Sequence, residues 1–177
     1  MSNTVRVLGD EMVFVIIYDP DKEMIYLQQK DATYWAKDFR LMHSFVGTGI
    51  RPENRENARD ALARKLKEEM PFAQKMITDE MRFWKTFRLP WRKSVEGEYA
   101  CHVFVRMMAS RYEMSDLVDA IRSGGKKRAT PTYITVERFK QIPPEKFMGS
   151  LGVVAGEFLE EIEKGSEQFW ESLEKNK

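Results

Sequence analysis

The sequence predicts one domain that mixes strands and helices, of α/β or α+β class. Short apolar segments with strand character are interrupted by a few amphipathic helices, and no internal repeat or low-complexity tract is present. The chain has 177 residues, of which 42% are hydrophobic. That length and apolar content suit one well-packed core rather than two, so residues 1–177 are expected to form a single domain.

Six segments are predicted as strands that form one sheet. Residues 12–18 are apolar on both faces, as expected of a central strand, and the turn-forming Asp19-Pro20-Asp21-Lys22 joins them to 24–27 in a hairpin. Residues 99–108 form the longest and most β-rich segment. The other predicted strands are 41–46, 82–89 and 132–136.

Two helices are predicted from capping residues and helical spacing. Asn54 or a neighbour can cap a helix over 55–70, and Ser115 can cap a helix over 116–122. Both positions have the short polar side chains that accept a hydrogen bond from a free amide of the first helical turn. The two helices follow the third and fifth predicted strands along the chain.

A third helix is predicted over about 151–175 because its apolar residues recur at helical spacing. Gly165 lies inside it and costs about 1 kcal/mol relative to Ala, so the helix can break there into two. Its last apolar side chains exceed what a small core needs, and they suggest a homodimer contact. The stripe consists of Ala155, Phe158, Leu159, Ile162, Phe169, Trp170 and Leu173.

Charge and cysteine content exclude several classes of protein. The 29 Lys and Arg residues against 28 Asp and Glu give a formal charge of +1, so no global charge favours a dedicated nucleic-acid binder. The single cysteine, Cys101, excludes an internal disulfide framework and a thiolate-rich zinc site. No apolar run approaches the roughly 20 residues that span a membrane. A cytoplasmic protein without a membrane partner is expected.

The charged helix at 55–70 is the segment that indicates chemistry. At about 100° per residue, Lys65 and Glu69 fall within its apolar stripe and Glu68 lies at the edge. Buried charges are costly unless they are paired or coordinate a ligand, so this face is either an internal ion pair or the floor of a site. Lys65 and Glu69 are four residues apart and can pair directly. The apolar stripe itself is Ala58, Ala61, Leu62 and Leu66.

The order of parts around this helix is distinctive. A strand leads into Gly47-Thr48-Gly49, a proline-containing loop follows, and the helix carries Arg64-Lys65-Leu66-Lys67-Glu68-Glu69, with Glu56 eight residues before Arg64. This pattern resembles the box of the Nudix hydrolase family. The resemblance implies an α/β fold, a Nudix-like α/β/α sandwich with a mixed central sheet. It covers about residues 8–165, with a helical extension to 177.

The resemblance also implies an activity, the cleavage of a nucleoside diphosphate linked to another moiety by metal-assisted attack of water on phosphorus. Family chemistry assigns Mg²⁺ or Mn²⁺ to helix carboxylates, here Glu68 and Glu69. A third ligand usually comes from a later loop, and Glu98 is preferred over Glu96 for that role. The catalytic set is then Glu56, Arg64, Glu68 and Glu69, with Gly47 and Gly49 as the glycine loop that binds the ligand.

Three departures from the family pattern favour an alternative function. Lys65 stands where the family has a glutamate, Pro71 replaces the closing glycine, and the spacing from Gly49 to Glu56 is one residue longer than the box allows. A lysine beside Glu69 makes the pair neutral without any metal. The alternative is a Nudix-fold module that has lost hydrolysis and binds a nucleotide or a partner protein.

Other residue types give weaker indications. His43 and His102 are too few for a histidine metal site, and both are expected to be strand residues with ordinary hydrogen-bond partners. Cys101 is expected to be buried and inert. The flat aromatic rings that can stack on a nucleobase are Trp35, Trp84 and Trp91, although the apolar strand around Trp84 favours core packing. Lys126, Lys127 and Arg128 can grip phosphates or form a solvated turn.

Overall fold

A seven-stranded mixed sheet forms the centre of the molecule. The structure is a computed structural model, and it describes residues 11–34, 37–90, 97–108, 114–124 and 129–175. The strands are β1 (Glu11–Asp19), β2 (Met24–Lys30), β3 (His43–Ser44), β4 (Val46–Gly49), β5 (Arg82–Pro90), β6 (Glu98–Met107) and β7 (Ala129–Thr135).

The strand order is β3-β2-β1-β6-β5, with β4 also paired to β1 and β7 paired to β2. Strands β1 and β6 run parallel, and every other pairing is antiparallel. The parallel pair is buried on both faces, which is why 12–18 and 99–108 are so apolar. The predicted mixed sheet is therefore confirmed.

Strands β1 and β2 separate from each other along their length. They pair only from Ile17 to Asp19, and the segment 43–49 fills the gap between them. Its first part, β3, pairs with β2, and its second part, β4, pairs with β1 over Met12 to Val15. The prediction of one strand over 41–46 is corrected to two short strands, because the segment changes partner at Phe45.

Helices cover both faces of the sheet, which confirms the predicted α/β/α sandwich. Cluster residues of α1, α2 and α3 pack on one face, called here the α1 face, and those of α4 and α5 pack on the other, the α5 face. None of the helices in the described part of the chain is long and apolar enough to cross a membrane. The helices are α1 (Ala58–Glu69), α2 (Gln74–Thr78), α3 (Met114–Gly124), α4 (Val136–Lys140) and α5 (Leu151–Glu174).

The start of α1 differs from the prediction of a helix over 55–70. Asn57 is the N-cap, and its side chain accepts a hydrogen bond from the amide of Asp60 at 2.9 Å. A short 3₁₀ turn, Pro52–Asn54, precedes it and ends at Arg55 with a left-handed φ of 53°. The chain therefore enters α1 through a 3₁₀ turn and not through an early helical turn. Glu56 lies between that turn and the N-cap.

Helices α2, α3 and α4 also differ from the sequence predictions. Helix α3 begins at Met114, so Ser115 lies inside it and is not the predicted N-cap. The short helices α2 and α4 were not predicted. Val136 opens α4 instead of ending the last strand, because the Thr135 hydroxyl caps the helix by accepting from the amide of Arg138.

Helix α5 is kinked at Gly165, where φ is 139° and ψ is 114°, which confirms the predicted break. The end of α5 corrects the reasoning behind a homodimer. Phe169 and Leu173 are 4% and 2% exposed within their own chain, and Trp170 stacks against Arg82. These side chains already pack within their own chain and do not support a dimer contact. The homodimer itself remains a prediction.

Candidate functional site

An arginine at the middle of α1 ties the preceding loop to the helix. The Arg64 Nε donates to Glu56 Oε1 at 2.7 Å, and its Nη2 donates to Glu56 Oε2 at 3.1 Å and to the Gly49 carbonyl at 3.2 Å. The amide of Arg51 donates to the same carboxylate. These hydrogen bonds hold the pKa of Glu56 below its usual range and raise the pKa of Arg64, so both groups are charged.

The sequence indicated Glu56 and Arg64 as site residues but did not predict that they pair with each other. Their eight-residue spacing, from the loop end to the second turn of the helix, was the available signal. Glu68 lies one turn further along α1, and half of its side chain is exposed. Its carboxylate lies 3.7 Å from Arg64 Nη1, which makes a loose i, i+4 ion pair.

The Lys65 ammonium pairs with the Glu69 carboxylate, as the spacing predicted. Both side chains are about three-quarters buried, with 24% and 26% exposed. The helix stripe beneath them is apolar, since Leu62 and Leu66 are fully buried. A carboxylate that the sequence resemblance assigned to a metal ion is thus neutralised by a cation of the chain itself.

Strand β2 adds a lysine that the sequence analysis missed. Tyr26 packs on the α1 face, and Lys30 follows it four residues later on the same face of the strand. Lys65 and Glu69 both lie close enough to act on the Lys30 charge. The alternation of Tyr26, Gln28 and Lys30 along one strand face could have indicated this position.

The Lys30 ammonium has no ion-pair or hydrogen-bond partner among the described residues, and it lies 5.0 Å from the centre of the Tyr34 ring. Burial and the neighbouring Lys65 lower the pKa of Lys30, and Glu69 only partly opposes them. We call Tyr26, Lys30, Lys65 and Glu69 the lysine cluster. It carries two ammonium groups and one carboxylate.

The donors present do not fit the Mg²⁺ or Mn²⁺ site that the fold family implies. Glu69 is held by Lys65, and Glu68 extends toward Arg64. Glu98 is exposed at the start of β6, opposite Pro90 of β5. Within the described residues, no three His, Cys, Asp or Glu side chains are arranged to hold a metal ion. Glu96 lies outside the described residues.

The two glycines predicted to bind the ligand lie in strand β4 and not in a loop. A Cβ added to Gly47 would lie 2.2 Å from Cδ1 of Phe14 and 2.4 Å from the carbonyl oxygen of Val13. Gly47 is therefore required by the close approach of β1. At Gly49 the nearest atom is Met12 Sδ at 3.7 Å, so this position has ordinary space.

The remaining candidates have mostly structural surroundings. His102 Nδ1 lies 2.9 Å from the Thr86 hydroxyl, as expected, but the buried Nδ1 of His43 has no partner among the described residues. Cys101 is fully buried, which raises the pKa of its thiol to about 12. Trp84 is a core residue. The predictions for Trp35, Trp91, Lys126, Lys127 and Arg128 fall outside the described residues.

Comparisons with known proteins identify the fold. No protein-family model matches the sequence, and no curated protein matches it. Among solved structures, the NUDIX domain of Shewanella oneidensis NrtR, complexed with ADP ribose, is similar with a TM-score of 0.56 and 12% identity, over 87% of this chain and 86% of that one. A NUDIX hydrolase from Nitrosomonas europaea gives a TM-score of 0.54 at 10% identity, over 83% and 85% of the two chains.

A third similar structure is a longer protein. It is the bifunctional NMN adenylyltransferase/ADP ribose pyrophosphatase from Francisella tularensis, complexed with AMP and manganese, with a TM-score of 0.57 and 18% identity. The match covers 85% of this chain and 41% of that one. The layered mixed sheet, the box helix after β4 and these similarities together show that the chain has the Nudix fold.

Proposed function

We propose that this Nudix-fold protein binds a nucleotide-type ligand, a nucleoside diphosphate joined to a second group, and that its metal-dependent hydrolysis is weak or absent. The observation that carries the proposal is the Lys65–Glu69 ion pair. It places a cation where the family pattern has a metal-binding carboxylate. The Lys65 ammonium would repel a divalent cation, which would have to displace it in order to bind Glu69.

The chain supplies polar groups for such a ligand without any metal. Arg64 is fixed by Glu56 and by the Gly49 carbonyl, so the loop before α1 has one position relative to the helix. The ammonium groups of the lysine cluster offer charge-assisted hydrogen bonds to phosphate oxygens. The neighbours complexed with ADP ribose and with AMP support a ligand of this class.

The second candidate is a Nudix-type pyrophosphohydrolase, in which Glu68 and Glu69 hold Mg²⁺ or Mn²⁺ and Glu56 or Glu98 assists. The observation in its favour is that Arg64, Glu68 and Glu69 keep their box positions on α1. In both candidates the partner is a small nucleotide-type molecule in the cytoplasm, with no dedicated nucleic-acid or membrane partner.

Binding and turnover assays on one ligand panel separate the two candidates. The panel is ADP-ribose, dinucleoside polyphosphates, NADH and nucleoside triphosphates, each with Mg²⁺, with Mn²⁺ and with EDTA. We expect saturable binding by calorimetry in all three conditions and no product by chromatography. Turnover that Glu69→Gln abolishes and the exposed control Glu160→Gln preserves would instead establish the hydrolase.

A further inference from the structure

The charges of the lysine cluster do not balance. Lys65 and Glu69 pair with each other, which leaves the Lys30 ammonium without a direct ion-pair partner among the described residues. Lys30 is half-buried, on the face of β2 that packs with α1 through Tyr26. An ammonium removed from water is unfavourable unless it is paired or meets a ligand, and a ligand anion would supply the pairing here.

A second observation points to the same ligand. The Tyr26 side chain is 1% exposed, and its buried hydroxyl finds no hydrogen-bond partner among the described residues. The Gln28 side chain lies beside it without the geometry of a hydrogen bond. Burial raises the pKa of Tyr26, and the Glu69 charge adds to that rise. Within the described part of the chain, the hydroxyl is a donor that lacks an acceptor.

Resting on the proposed function, we propose that Lys30, Lys65 and Tyr26 form a metal-independent site for the diphosphate group of the ligand. The cluster keeps one net positive charge, because Glu69 balances Lys65. A phosphate oxygen gives Lys30 its counter-charge and accepts the hydrogen bond of Tyr26. Lys65 shares its protons between Glu69 and the ligand, since an ammonium has three donors.

Calorimetry on the full chain in EDTA tests the site, with inorganic pyrophosphate and ADP-ribose as separate probes. We expect both probes to bind wild type without Mg²⁺. Lys30→Met is expected to weaken binding of both by roughly tenfold, the loss of one charge-assisted hydrogen bond. Lys30→Arg keeps most of the affinity. The matched control, Lys67→Met, changes an exposed lysine on the same helix as Lys65 and should have no effect.

Tyr26→Phe gives an independent readout. It should weaken pyrophosphate binding by a few fold. Because it removes a buried hydroxyl that has no partner in the described ranges, it should leave the melting temperature equal to or above that of wild type. A merely structural tyrosine would instead lower the melting temperature and leave the affinity unchanged. Melting curves of Lys30→Met serve the same purpose, since loss of an uncompensated buried charge should not destabilise the fold.

Each outcome bears on one proposal or the other. If pyrophosphate binds in EDTA and depends on Lys30 while ADP-ribose does not bind, the anion site stands and the proposed function fails. If ADP-ribose binds equally to wild type and Lys30→Met in EDTA, the anion site is overturned and the proposed function survives. If neither probe binds, both are overturned.

Discussion

The two faces of the sheet are built from different chemistry. On the α5 face, Phe158 is fully buried and makes edge-to-face contacts with Tyr18, Trp84 and Phe169. On the α1 face, α1 buries aliphatic side chains and carries its ion pairs directly above them. The α5 face is thus an aromatic core whose Lys85–Glu157 ion pair is about 40% exposed, whereas the Lys65–Glu69 ion pair of α1 is about three-quarters buried.

Phe158→Ala is expected to give the largest loss of stability. Removal of a fully buried phenyl ring leaves a cavity, and the expected cost is about 3–5 kcal/mol in the free energy of unfolding. Chemical denaturation measures it, with Val153→Ala, half exposed on the same helix, as the control. Ligand affinity of the folded variant should not change. A changed affinity would contradict the division between the two faces.

The two glycines of β4 test whether this segment acts through packing or through ligand binding. Gly47→Ala drives a methyl group into Phe14 and into backbone, so about 1–3 kcal/mol of destabilisation is expected. Gly49→Ala has space and should change stability far less. Thermal melts of both variants measure the contrast. Equal melting temperatures would mean that β4 shifts to accept the added methyl group.

Lys65→Glu tests whether a single charge separates this site from a metal site. The variant places three carboxylates at positions 65, 68 and 69 of α1. Without metal, it should lose about 1–2 kcal/mol, because an attractive i, i+4 pair becomes repulsive in a partly exposed setting. We expect Mg²⁺ to raise its melting temperature more than that of wild type, and to bind it more tightly.

The control for this change is Lys67→Glu, which adds the same charge at an exposed position of α1. It should show no larger gain from Mg²⁺ than wild type. Equal gains in Lys65→Glu and wild type, or none in either, would contradict the view that the Lys65 ammonium excludes a metal from Glu69.

Sequence reasoning succeeded where the signal was periodic or local and failed where it depended on tertiary pairing. The apolar runs predicted the central strands, and the i, i+4 spacing predicted the Lys65–Glu69 pair. The division of 41–46 into two strands depends on the separation of β1 from β2, which no local pattern encodes. Lys30 was missed for the same reason, because only the pairing of sheet and helix brings it beside α1.

The smallest predicted effect is a pH-dependent change in stability caused by His43, which lies at the edge of the α5 face. Its ring lies 6.1 Å from that of Phe147, and its Nδ1 is buried without a partner among the described residues. Burial, with Arg138 nearby, lowers the pKa of His43 from 6.5. The folded state therefore favours the neutral ring, whereas the unfolded chain takes up a proton as the pH falls below about 6.5.

Above that pH both states are neutral and His43 contributes no pH dependence to stability. Between pH 6.5 and the lower pKa of the folded state, the free energy of unfolding should decrease as the pH decreases. The loss should be less than about 1 kcal/mol, because the ring is only partly buried. Unfolding curves from pH 8 to pH 5 for wild type and His43→Gln measure the difference between the two proteins. If His43→Gln lost stability toward acid as steeply as wild type, His43 would not be the group that takes up the proton.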